Sequence, residues 1–236
     1  MRILIVGEGP HDIGYRDAWD HRLKIMIDLP GWLQILLEKL RLPTVPIEVM
    51  AARRSEILLT DRDRRRNKPL PPGHGERALA CMFRAAAGNY DVVIFMADAD
   101  TPDDAKWREH HKDIEEGFSR GPSGPLPVIC LPKAASESWL LADLAAWKAV
   151  GLRDITILPN KPEYAWGKRN DPNSHHPKHD FERAAKMSQL RGDGRGQRVE
   201  VMEHAEPNAI SQSCPVSFAS FWEECAAAGF AAPPRP

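Results

Sequence analysis

The chain has 236 residues, 42% hydrophobic and 28% charged, with a formal net charge of −1 at pH 7. Such a length buries the core of one α/β domain with an elaboration, and the composition excludes a disordered chain. A net charge near zero excludes general attraction to polyanions, so a nucleic-acid partner needs a local basic patch or metal ions. The apolar run Arg2 to Val6 reads as a buried strand and leads into GEGPHD, where Gly7 and Gly9 let the backbone turn sharply and present Glu8. Leu33, Leu36, Leu37 and Leu40 then form a helical i, i+3, i+4, i+7 stripe that Pro30 starts or kinks. A second strand is predicted over Ile47 to Met50, followed by the most basic stretch, DRDRRRNKP at 61–69, with Arg53 and Arg54 just before it. A helix over 74–88, a strand over Asp91 to Ala97, a helix over 102–118 and a strand over Val128 to Leu131 complete the series. SESWLLADLAAWKAVG follows as a helix with Ser136 as its cap and Gly151 as its stop.

This βαβ rhythm predicts a parallel sheet of about four strands flanked by helices, a Rossmann-like α/β core over residues 1–151. Residues 152–236 read as a loop-rich helical extension packed on that core. It has a polar loop at 159–180, short helices at 180–190, 199–206 and 217–228, a flexible RGDGRG and a fraying AAPPRP tail. Four dispersed cysteines without a CxxC pair, and a start that enters a strand with no leader pattern, suit a reducing cytoplasm. No apolar run approaches the ~18 residues of a membrane span, so no membrane partner is expected.

The third strand ends in Asp98-Ala99-Asp100, and β alternation sends both acids to one face at the carboxyl edge of the sheet, where ligands of open parallel sheets bind. Glu8 ends the first strand at the same edge. Three converging carboxylates repel, and Mg²⁺ or Mn²⁺ relieves the repulsion. The competing reading makes Asp100-Thr101-Pro102 a helix cap and Asp12 another. Arg53, Arg54, Arg64, Arg65, Arg66 and Lys68 either form a solvated face or border the acids and track a phosphate backbone. Lys168-Arg169 and RGDGRGQR make a second basic region. His175, His176 and His179 are interrupted by Pro177 and lack HExxH spacing, which favours a polar loop over zinc. Trp32, Trp139, Trp147 and Trp222 fall in helical stripes and belong to the core.

A strand ending in EGxxD (Glu8 to Asp12) followed by one ending in DxD (Asp98 to Asp100) resembles the Toprim domain across residues 1–150. That domain is shared by topoisomerases, primases, maturation ribonucleases and the overcoming-lysogenisation-defect (OLD) nucleases. The resemblance implies a metal-binding or acid/base role for Glu8 and metal ligation by Asp98 and Asp100. PKAASESWLLAD and CPVSFASFW further resemble small Toprim-like proteins encoded beside ATPases of bacterial defence systems. On that resemblance Glu137 is an additional metal-binding acid and Lys133 neutralises a phosphate in the transition state. With three tyrosines and no breakage-reunion module, and no room for a primase's accessory regions, the implied activity is Mg²⁺-dependent hydrolysis of DNA or RNA, an antiviral effector under a partner ATPase. The chain has no GxxxxGKS/T loop of its own. The rival expectation is a non-catalytic Toprim-like subunit that binds nucleic acid or a partner; a receiver-like phosphoacceptor fits the first loop and long tail poorly. Oligomeric state is left open.

Overall fold

The computed structural model describes residues 1–20 and 25–234, and the side chains among these outside 15–28. β1 (Arg2–Gly7) leads into a single helical turn, α1 (Pro10–Ile13). β2 (Tyr15–Asp20) and β3 (Ile25–Leu29) pair antiparallel in a two-stranded ladder that sequence periodicity does not predict. Then come α2 (Trp32–Leu40), β4 (Glu48–Arg53), α3 (Asp61–Arg66), α4 (Gly75–Ala87), β5 (Val92–Met96), α5 (Asp104–Ser119) and β6 (Leu126–Cys130). The predicted stripe is the buried face of α2, which begins two residues after Pro30.

β4, β1, β5 and β6 lie side by side in that order as one parallel sheet flanked by helices, an α/β fold of the Rossmann-like kind. Side chains of β1 and β5 are apolar on both faces, as a sheet covered on both sides requires. Leu4, Val6, Val93 and Phe95 meet α4 and α5 on one face, while Ile3, Ile5, Val92 and Ile94 meet α2 and the C-terminal helices on the other. β4 runs three residues beyond the predicted Met50, because every β1 residue through Gly7 finds a partner, ending with Gly7 opposite Arg53.

The helix predicted from Ser136 to Gly151 is broken into α6 (Glu137–Leu140) and α7 (Leu144–Ala149). Asp143 causes the break: its carboxylate accepts the N–H groups of Ala145 and Ala146 and starts a new helix. Ser136 makes no side-chain cap, because its groups are committed to acids of the cleft described below.

Beyond residue 151, α8 (Pro177–Met187), α9 (Gly194–His204), α10 (Pro207–Ser213) and α11 (Ser217–Ala227) follow a long irregular stretch. Half of the RGDGRG segment, expected to be flexible, is the first turn of α9, because Asp193 accepts the N–H of Gly196 and caps it. Phe181, Val201, Met202, Phe218, Phe221 and Cys225 share one apolar cluster with Ile3 and Ile94. The later helices therefore form part of the layer that covers one face of the sheet. Among the described residues no helix is long and apolar enough to cross a membrane.

Candidate functional site

Register alone brings the first charged pair together. Gly7 stands opposite Arg53, so one step further along the two strands Glu8 meets Arg54, and Nη2 of Arg54 lies 2.5 Å from Oε1 of Glu8. The β1–β5 register sets Val6 against Phe95, which carries Glu8 beside the end of β5 and the Ala97-Asp98 step.

A cleft of 170 Å³ opens at this carboxyl edge, lined by Glu8, His11, Asp12, Asp98, Ser136, Glu137, Lys178 and Arg198 together with Met96 and Ala97. It draws on β1, α1, β5, α6, α8 and α9. Asp98 Oδ1 accepts the Ser136 N–H at 2.8 Å, and Oδ2 is 3.7 Å from the Lys178 ammonium. Asp12 Oδ1 accepts from the indole of Trp32 at 2.7 Å and from the Ser136 hydroxyl at 3.1 Å. Glu137, nearly fully buried, pairs through Oε1 with Arg198, while its buried Oε2 has no hydrogen-bond partner among the described residues. Ser136 thus holds two acids at once, which is why it does not cap α6.

Burial, with the charges of Glu137, Asp12 and Asp100 beside it and Lys178 opposing them, pushes the Asp98 carboxyl up to about 8. Burial also raises the Asp12 carboxyl, against the hydrogen bond from Trp32. Both groups therefore resist ionisation where they stand.

Asp98 and Asp100 do not share a face as strand alternation predicts. β5 ends at Met96, and Asp100 has φ +49°, a left-handed conformation that aspartate tolerates better than most residues. Its side chain is exposed and outside the cleft lining, near enough to His74 to affect that imidazole, which burial and Arg54 keep below its ordinary pKa. The helix-cap role goes to Asp103, whose Oδ1 accepts the Lys106 N–H at 2.8 Å.

Lys133 stands apart from the cleft. Its side chain is fully buried, its ammonium is paired with Asp104 and sits 3.8 Å from the centroid of the Tyr164 ring. A buried ammonium needs such a partner, so this charge is committed to holding the start of α5 against the 161–166 segment.

Of the basic run, Arg54 alone reaches the cleft acids. Arg64 pairs with Glu76 at 2.7 Å, while Arg53, Arg65, Arg66 and Lys68 are exposed at the end of β4 and around α3. Lys178 and Arg198, which the structure brings into the cleft, lie about eighty and a hundred residues past the DxD motif. Arg198 closes the RGDGRGQR stretch, whose charge was its one signal; Lys178 had none beyond its place on an amphipathic helix.

Among the described residues no three His, Cys, Asp or Glu side chains stand close enough to share an ion as they are. The donor chemistry nevertheless fits a hard divalent cation: a buried carboxylate oxygen with no hydrogen-bond partner among the described residues, and a neighbouring carboxyl that resists ionisation because it is buried among other acids. Arg54, Lys178 and Arg198 are the cations that now stand against Glu8, Asp98 and Glu137. Compared with protein-family models, with curated proteins and with solved structures, the chain matches none.

Proposed function

We propose that the chain is a metal-dependent nuclease of the Toprim type that hydrolyses phosphodiester bonds of DNA or RNA. The observation that supports this is the meeting of Glu8, Asp98 and Glu137, from three distant segments, in one cleft at the carboxyl edge of a parallel sheet. Clustering acids where one is pushed up to about 8 is unfavourable for the fold alone, and such perturbation marks functional sites. In this reading Asp98, Glu137 and Glu8 hold Mg²⁺ or Mn²⁺, with Asp100 on the outer side. When bound, the ion supplies Lewis acidity toward the phosphodiester and toward water. Lys178 and Arg198 turn their charge from the carboxylates to the phosphate oxygens. Glu8, half exposed at the cleft mouth, would hold the ion through one oxygen and accept the attacking water's proton on the other, while the bond from phosphorus to the leaving oxygen breaks and that oxygen takes a proton from solvent. The same reading makes the protein a cytoplasmic effector of bacterial antiviral defence, with a partner ATPase supplying regulation.

A second reading, a non-catalytic subunit that binds nucleic acid or a partner, draws support from the cations Arg54, Lys178 and Arg198 that already stand against the three acids. Metal titration separates the two. A metal site predicts that Mg²⁺ or Mn²⁺ raises the melting temperature of the wild type and that Asp98→Asn loses both this increment and cleavage of plasmid, single-stranded DNA or transfer RNA. A melting curve indifferent to both ions, with nucleic acid still bound, selects the binding subunit. Full cleavage by Asp98→Asn, with Glu8→Gln inactive in a parallel preparation, would falsify the assignment of Asp98.

A further inference from the structure

The chain has seven tryptophans, and Trp19 lies outside the described side chains. Trp32, Trp107, Trp139, Trp147 and Trp222 are at most 6% exposed, and each donates its indole N–H to a protein acceptor. Trp166 departs from this pattern at 48% exposed, and Tyr164, two residues earlier, is 39% exposed. A half-exposed indole two residues from a half-exposed tyrosine is an aromatic surface open to a planar group.

The charge around it is positive although the whole chain is at −1. Lys161, Lys168 and Arg169 are exposed with Asp171, whereas Glu163 is fully buried and accepts the N–H groups of Val216 and Ser217. The loop is also fastened to the cleft. The Trp166 ring lies 6.3 Å from that of His176, which caps α8 two residues before Lys178, and the Arg169 carbonyl stands 2.8 Å from Nε2 of His179. One face of Tyr164 is taken by the Lys133 ammonium, which leaves Trp166 as the freer ring.

We propose that the 161–176 segment is a platform for an unpaired nucleic-acid strand. A base stacks on Trp166, its flanking phosphates lie on Lys168 and Arg169, and the strand continues past Lys178 into the cleft. Aromatic stacking together with basic side chains along a backbone path is the physics of single-strand binding, and paired bases already stacked in a duplex offer the ring no face. The inference rests on the cleft being a phosphodiester site, and names single strands, or single-stranded parts of a folded RNA, as what it takes.

The test measures binding with metal chelated, by anisotropy of a short labelled oligothymidylate and of a strand of equal length without bases. Stacking predicts that the wild type prefers the strand with bases by about tenfold. Trp166→Ala should abolish that preference and Trp166→Phe should retain it, with binding of the baseless strand unchanged in all three proteins. Because the residue is exposed, the Ala variant should melt with the wild type. Equal affinity of the wild type for both strands, survival of the preference in Trp166→Ala, or no binding of either strand overturns the proposal; the second result would place base recognition elsewhere on the chain. Since nothing is cleaved in this assay, a failure of the nuclease reading leaves its result untouched, and ion-dependent cleavage with no base preference sinks the platform alone.

Discussion

Asp98 concentrates the energetics of the site in one side chain. It lies two residues past the fully buried strand β5, accepts a backbone N–H from Ser136, and shares its surroundings with Asp12 and Glu137. Its carboxyl is pushed up to about 8, against 3.8 for an ordinary aspartate, so between those values the native chain holds a proton that the unfolded chain releases. The native state binding more protons means that stability is greatest below the ordinary value and is lost as pH rises through this window. In chelator, the urea midpoint of the wild type should therefore fall between pH 5 and pH 9, and that of Asp98→Asn should fall less, because the amide keeps an acceptor for Ser136 without a charge to expose. Parallel pH profiles for the two proteins would show that burial of Asp98 is relieved by Lys178 in solution.

Among the elements, α11 ties the two halves of the chain together at both of its ends. Glu163 accepts two N–H groups at its start, and near its end Glu224 accepts the Ile129 N–H of β6 at 2.7 Å, covering a hydrogen-bonding group on that edge strand. Between these anchors Phe218 and Phe221 pack on Trp139, with ring centroids 5.0 and 5.4 Å away, and the Trp139 indole reaches the Ser217 hydroxyl. Trp139 follows Glu137 by two residues, so the helix that supports the cleft acid is itself held by the last helix of the fold. Phe218→Ala should cost about 3–5 kcal/mol and leave a single unfolding transition. An early, separate transition in urea would instead make the residues past 151 a detachable layer.

On the scale of the whole molecule, the charge that composition reports as −1 is arranged in zones. The cleft holds alternating acids and bases, while Arg65 and Arg66 at the end of α3 are exposed and unburdened by tertiary packing. If α3 borders the path of a polyanion, reversing both to Glu should reduce the slope of log affinity against log salt by about two units, near 0.9 for each phosphate no longer neutralised. Folding should be unaffected, since neither side chain is buried. An unchanged slope assigns the run to solvent and leaves Lys178, Arg198 and the 161–176 segment as the sources of charge for nucleic acid.

The sequence by itself determined the layers: four parallel strands, the buried stripe of α2, and an acid at the end of β1 and of β5 were legible because strand and helix periodicities report local geometry and burial. It also carried Glu8 and Asp98 to one edge, since parallel strands end on the same side of a sheet. The tertiary structure alone decided what those acids meet. Arg54 reaches Glu8 through strand register, Arg198 reaches Glu137 through the docking of α9, and Lys133 is drawn under Tyr164 away from the cleft. The left-handed turn at Asp100 and the break at Asp143 likewise depend on hydrogen bonds and packing at the chain's turns. Periodicity carries no information about pairs a hundred residues apart, because their meeting is set by sheet order and by which helix face fills the space above it.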